Sequence, residues 1–150
     1  MSNTLLKLGK SFKNLVILDT GSMKNPVSEE FLKFFGERYF GFGLAESNMI
    51  SAAAGFAIAG KTPIVLGSAR FLLSTAFDQI YNDICLPNLN VKIVGLGGGD
   101  VDLELARILP NMKVMEDVGE HLHDVSDESF LTKKLEELLM EYGPAYLRIF

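Results

Sequence analysis

The sequence predicts an α/β fold of three layers, α/β/α, with a mostly parallel sheet covered by helices on both faces. Two observations carry this. Short β-forming runs alternate with longer segments of helical spacing, and the runs are apolar at nearly every position. Strands that are hydrophobic on both faces belong in a sheet buried on both sides, and intervening helices supply the crossovers that parallel strands need. Length and composition agree. The 150 residues, 48% of them hydrophobic, suffice for one sizeable core, so residues 1–150 read as a single domain.

Taken in order, Leu15–Asp19 (LVILD) is the first strand, stopped by the turn residues Gly21 and Ser22. Ser28 is placed to cap a helix over 28–35, with Glu29 and Glu30 in the first turn, where the helix dipole favours carboxylates. Residues 39–43 read as a second strand, 45–59 as a helix stopped by Gly60, and 63–67 (PIVLG) as a third strand. Helical spacing continues over 71–84 until Pro87. Two Pro-Asn exits, at Pro87 and Pro110, each lead into a β-forming run. Between them lie a glycine-rich turn at 95–99 and a short helix at 101–109. Residues 126–142 form the clearest amphipathic helix, with Leu131, Leu135, Leu138 and Leu139 on one face. Gly143-Pro144 ends it, and AYLRIF is the last strand.

Composition narrows the function. A mean hydropathy of +0.22 with 22% charged residues argues against disorder. Fourteen basic against nineteen acidic residues leave a net charge of −5, which argues against the clustered cations a nucleic-acid surface needs. No run of 18 apolar residues and no signal-peptide core occur, so no membrane role is expected. Cys85 is the sole cysteine, which excludes an internal disulfide and a multi-thiolate metal site and points to a reduced, cytoplasmic setting.

Several residues invite chemistry and fit it poorly. Gly97-Gly98-Gly99-Asp100 resembles a phosphate loop but lacks the Lys-Ser/Thr that such a loop carries, and reads better as a tight βα turn. His121 and His123, with Glu120 or Asp124, have an i, i+2 spacing that places both rings on one side only in a strand, so no metal site is expected. Cys85 has Asp83 as its nearest charged neighbour, which disfavours a thiolate. The segment 41–60, GFGLAESNMISAAAGFAIAG, differs. A strand ends in Gly43, Glu46 falls in the first helical turn, and the following turns are mostly Ala, Gly and Ser. Small residues let another backbone approach closely, and a carboxyl group among them is poorly hydrated, a setting used for proton transfer. A first-turn glutamate complementing the helix dipole on a plain core helix is the competing reading.

Residues 14–95 and 110–149 resemble the pyrimidine-binding (central) domain of the transketolase family, especially the small subunit of split bacterial and archaeal forms. The resemblance rests on GLAESNM at 43–49, AAGFA at 53–57 and AGKTP at 59–63, against the family's G-I-A-E-Q-N-M…A-A-G-L-A…A-G-K-x-P. AFDQIYNDI at 76–84, PNLNVKIVG at 87–95 and GPAYLR at 143–148 complete it. It implies the thiamine-diphosphate-binding, pyrimidine-domain version of the three-layer fold. It also implies thiamine diphosphate as cofactor, with Mg²⁺ supplied through a partner diphosphate-binding subunit, in a homodimer or heterotetramer.

In the family, the glutamate matching Glu46 hydrogen-bonds N1′ of the aminopyrimidine and favours the imino tautomer, whose exocyclic nitrogen takes the thiazolium C2 proton. Phe71 matches the aromatic residue packed on the pyrimidine, Leu44 lies beneath that ring, and Ser68 stands at another aromatic position of the pocket, with Ser74 one turn beyond Phe71. The alanine-rich helix matches the subunit-contact helix. The activity implied is transfer of a two-carbon ketol unit between sugars or sugar phosphates.

Departures are specific. The family's G-x-D-G-x-T-H-Q substrate loop shrinks to LGGGDV at 96–101, and Gly21 replaces the second aspartate of D-A-D-L. The chain reaches Phe150 before the family's phosphate-contacting arginine. Such departures also suit a non-catalytic paralogue acting as a dimerisation or regulatory module.

Overall fold

A computed structural model of the chain describes residues 1–22, 26–98, 100–115 and 128–149. Its six strands, β1 (Leu15–Asp19), β2 (Tyr39–Gly41), β3 (Thr62–Ser68), β4 (Lys92–Leu96), β5 (Lys113–Met115) and β6 (Ala145–Ile149), form one sheet ordered β2-β1-β3-β4-β6-β5. Every pairing is parallel, with Ile17 beside Ile64 and Val94 beside Leu147.

Strand side chains alternate between two cores, as the period of two demands. Leu15, Ile17, Ile64, Leu66, Val94 and Leu147 meet helices α1 (Ser2–Ser11), α2 (Glu29–Phe35) and α7 (Glu128–Met140). Val16, Leu18, Val65, Ile93 and Tyr146 meet α3 (Glu46–Ile58), α4 (Ala69–Thr75) and α6 (Asp100–Arg107). Each aliphatic side chain buried this way contributes about 1.5–3 kcal/mol before the entropy of ordering it is subtracted. The three-layer α/β/α arrangement is therefore the one the apolar runs predicted.

Three details differ from expectation. Residues 2–11 form α1, which the sequence did not announce. Its Leu5 and Leu8 are fully buried, and Gly9 lets Phe31 and Phe35 approach so closely that a Cβ there would lie 2.9–3.1 Å from their rings. The helix expected over 71–84 is interrupted. α4 ends at Thr75, Ala76 leaves the helical region at φ −111°, and after the short α5 (Phe77–Gln79) the chain widens into a π-turn at Ile80–Cys85. No glycine or proline marks that break. Finally, β2 stops at Gly41, two residues early. The histidine pair at 121 and 123 and the start of the predicted 126–142 helix lie outside the described residues.

Because the sheet is wholly parallel, α3, α4 and α6 all begin at its carboxyl edge. In open α/β sheets that edge is where ligands bind. Among the described residues, no helix is long and apolar enough to cross a membrane.

Candidate functional site

The connection from β2 to α3 turns at Gly43, whose φ of +67° is a left-handed conformation that glycine adopts without strain. Ala45 is the N-cap and offers no side-chain cap, so the first turn of α3 begins with Glu46. This glutamate is 7% exposed. The other buried polar or charged residues described all have partners. Thr4 bonds Thr132, Asp19 accepts from Gly21 and Tyr39, and Thr20 bonds Ser22. Lys92 donates to two carbonyls, and Asp102 accepts from Tyr146. Glu46 has none among the described residues. Asn90 Oδ1 is the one fully enclosed side-chain polar atom without a partner there, so the Glu46 oxygens, also unpartnered, reach the surface.

The remaining candidates stand around the same edge in different settings. Leu44 is 78% exposed in the turn before α3, and Phe71 is 49% exposed on α4. Ser47 Oγ donates to the Thr75 carbonyl at 3.2 Å, fixing the first turn of α3 against the last turn of α4. Phe71 is one turn before Thr75 and shares its face of the helix. Ser51 Oγ donates to Asp83 Oδ2 at 2.6 Å, a second tie between α3 and the π-turn. Ser68 is the N-cap of α4. It lines a cavity of about 690 Å³ between α4 and α6, with Arg70, Ser74, Leu96, Gly97, Gly98, Val101, Asp102 and Leu105. Leu44, Glu46 and Phe71 do not line it.

Beneath that cavity is a polar cluster that the sequence did not reveal. Tyr146 Oη donates to Asp102 Oδ2 at 2.7 Å, and Arg148 Nη1 stands 3.3 Å from Asp102 Oδ1. Burial, followed by the bond to Asp102, pushes the Tyr146 phenol upward. A Cβ at Gly95 would fall 2.5 Å from Tyr146 Oη, and one at Gly98 would fall 2.8 Å from Arg148 Cδ. β4 ends at Leu96 and α6 begins at Asp100, and close packing over this cluster accounts for Gly95 and Gly98, while Gly99 of the predicted turn lies outside the described residues. Those glycines, with an acid in the helix that follows, were the signal available.

Other sequence candidates settle into structural roles. Asp19 Oδ1 accepts the Gly21 N–H at 2.9 Å and Oδ2 accepts Tyr39 Oη at 2.9 Å, so it is fully engaged in its own turn. Tyr39 is pushed up to about 12, mainly by burial and then by Asp19. Cys85 is buried and its thiol is pushed up to about 12 by burial rather than by Asp83, which is bonded to Ser51. Among the described residues, no group of three or more His, Cys, Asp or Glu is placed to hold a metal.

Comparison with known proteins gives a consistent result. The transketolase pyrimidine-binding domain pattern matches residues 2–116. A Methanocaldococcus jannaschii protein named as a transketolase C-terminal section is 35% identical over 97% of this chain and 48% of its own length. A 1-deoxy-D-xylulose-5-phosphate synthase of Pelotomaculum thermopropionicum is 33% identical over 97% of this chain and 23% of its own. Among solved structures, a split-gene transketolase described as an inactive β4 tetramer superposes with a TM-score of 0.83 at 34% identity, covering 97% of this chain and 48% of that one. A Campylobacter jejuni transketolase shares the fold, with a TM-score of 0.68 at 14% identity over 94% of this chain and 23% of its own. The chain spans half or less of the length of these relatives.

Proposed function

The chain belongs to the family of transketolase pyrimidine-binding domains, and from that premise we propose that it is one half of a thiamine-diphosphate-dependent transferase. A separate diphosphate-binding subunit would supply the site for Mg²⁺ and the diphosphate, and the pair would move a two-carbon ketol unit between sugars or sugar phosphates. The observation that carries this reading is Glu46, a buried carboxyl at the sheet's carboxyl edge with no partner among the described residues. Its oxygens reach the surface without a protein partner, so they are open to a ligand docking at this edge, and closing the edge over them would make that bond necessary.

The residues fit an aminopyrimidine. Glu46 offers a carboxyl oxygen to a ring nitrogen, N1′, and can hold the shared proton there. Phe71 and Leu44 expose apolar surface suited to the faces of a flat heteroaromatic ring. Ser68, the N-cap of the helix that carries Phe71, would stand at the border of such a ring. When bound, thiamine diphosphate supplies the carbanion-stabilising centre for ketol transfer. The chain's own share is to bind the pyrimidine, orient it, exclude water and hold one proton at Glu46.

The test is reconstitution with the separately encoded diphosphate-binding subunit, thiamine diphosphate and Mg²⁺. Glu46→Gln should lower transfer activity by about 10²–10⁴-fold while assembly of the two subunits is kept. Wild-type turnover in this variant would sink the assignment. A second reading, a non-catalytic dimerisation or regulatory module, is favoured by one observation. β4 ends at Leu96 and α6 begins at Asp100, leaving no room for a substrate loop. Calorimetry decides between them: thiamine diphosphate that gives no heat with both subunits present would favour the module.

A further inference from the structure

We propose that Ser47 is a positioning residue of the candidate site. Its hydroxyl ties the turn that carries Glu46 to the end of the helix that carries Phe71, and so sets where the Phe71 ring stands when an aminopyrimidine binds. The inference rests on the cofactor reading above and adds to it a residue that acts through its neighbours. Ser47 Oγ donates to the Thr75 carbonyl at 3.2 Å. Glu46 immediately precedes Ser47 in the first turn of α3, and Phe71 lies one turn before Thr75 on the same face of α4. A single hydrogen bond therefore links the carboxyl's turn to the ring's helix.

The break at Ala76 makes this bond available. In an unbroken helix the Thr75 carbonyl would accept from the backbone N–H four residues on. Ala76 instead leaves the helical region at φ −111°, and α4 stops at Thr75. Carbonyls at such an end need partners from outside the helix, and Ser47 supplies one. The outer side of α4 has little else to fix it. Leu72 and Leu73 are buried in the core, whereas Arg70, Phe71, Ser74 and Thr75 are exposed. Ser74 Oγ donates to the Arg70 carbonyl of its own helix at 2.6 Å, and the N-cap Ser68 makes no capping bond. Ser51, one turn after Ser47, bonds Asp83 beyond the break. Among the described residues, Ser47 is thus the α3 side chain that hydrogen-bonds α4. The family motif carries Gln at this position, with its amide two bonds further from the backbone, so this short tie is particular to the chain.

The test has two arms. The chain contains no tryptophan, so Phe71→Trp in the full chain places a single fluorophore on the half-exposed position. In that background Ser47→Ala should lower the indole's fluorescence anisotropy, which reports nanosecond side-chain motion, while Ser47→Thr, which keeps a hydroxyl, should retain it. The second arm keeps Phe71 and titrates thiamine diphosphate into the two-subunit complex with Mg²⁺, by calorimetry. Ser47→Ala should weaken binding about three- to tenfold, raise the cofactor's KM alike, and leave kcat at saturating cofactor within about twofold. Ser47→Thr should restore the affinity. Unchanged anisotropy and unchanged affinity in Ser47→Ala, or a Ser47→Thr variant as impaired as Ser47→Ala, would each overturn the proposal while wild-type binding keeps the cofactor reading intact. A wild-type complex that takes up no thiamine diphosphate would overturn that reading and this role with it.

Discussion

Tyr146 lies in β6, between β4 and β5, fully buried, with its phenol on Asp102. Its ionisation in the folded chain is opposed first by burial and then by that carboxylate. Cys85, pushed up to about 12 from 9.0, and Tyr39, pushed up to about 12 from 10.0, behave alike. All three keep protons in the folded state at a pH where the unfolded chain has released them. Stability therefore falls as pH rises above the unfolded values, beginning near 9 for the thiol and near 10 for the phenols. Lys92 works the other way. Burial pushes it down to about 8 from 10.5, so between those values the unfolded chain holds the extra proton and stability rises with pH. Between about 8 and 9 only the gain operates, from there to 10.5 the two trends oppose each other, and beyond it only the loss remains. Urea midpoints should rise from pH 8 to 9 and fall steeply by pH 11. In Tyr146→Phe the fall above pH 10.5 should be shallower by one proton's share. An unchanged slope would show that Tyr146 does not titrate with unfolding.

At the scale of elements, α1 depends on one side chain from outside it. The Arg38 guanidinium donates to the carbonyls of Gly9 at 2.8 Å, Phe12 at 3.1 Å and Lys13 at 3.3 Å, and its carbon lies 4.0 Å from the centre of the Phe35 ring. It satisfies carbonyls that the end of a helix leaves open, and it stacks on the aromatic ring that Gly9 admits. Arg38→Met keeps the stem and loses the donors. It should cost about 1–3 kcal/mol and strip hydrogen-exchange protection from α1 before β3 and β4 are affected. Undiminished protection in α1 would mean that Leu5 and Leu8 hold the helix unaided. This dependence also explains why α1 was illegible. SNTLLKLGKS is short, uncapped and interrupted by glycine, and what makes it helical is tertiary. The break at Ala76 was hidden because the apolar spacing on either side of it is helical and neither glycine nor proline marks it. The central strands β1, β3 and β4 were legible because their burial on both faces is written at nearly every position. The place of Glu46 in the first turn of a helix was legible from its neighbours in sequence, whereas Asp102, Tyr146 and Arg148 come together only through the packing of α6 on β6.

The molecule as a whole carries an outward helix face that its own interior does not explain. On α3, Asn48, Ser51, Gly55 and Ile58 follow helical spacing and are all exposed. Ile58 is 75% exposed, and a Cβ added at Gly55 would meet nothing within 4 Å. Glycine inside a helix costs about 1 kcal/mol relative to alanine, and nothing among the described residues requires that cost here. A second backbone packed against α3 would require it, since only glycine permits the nearest approach. The proposed diphosphate-binding partner, closing over Glu46 and Phe71 at the same edge, is the occupant that the proposed function calls for. Two substitutions at this position should then part company. Gly55→Ala should raise the stability of the isolated chain by up to about 1 kcal/mol. Gly55→Arg should fold as well as wild type and fail to assemble with the partner, read as a lost complex peak in sedimentation velocity. An assembled Gly55→Arg complex would move the interface elsewhere on the molecule. It would also leave a mid-helix glycine whose cost nothing offsets.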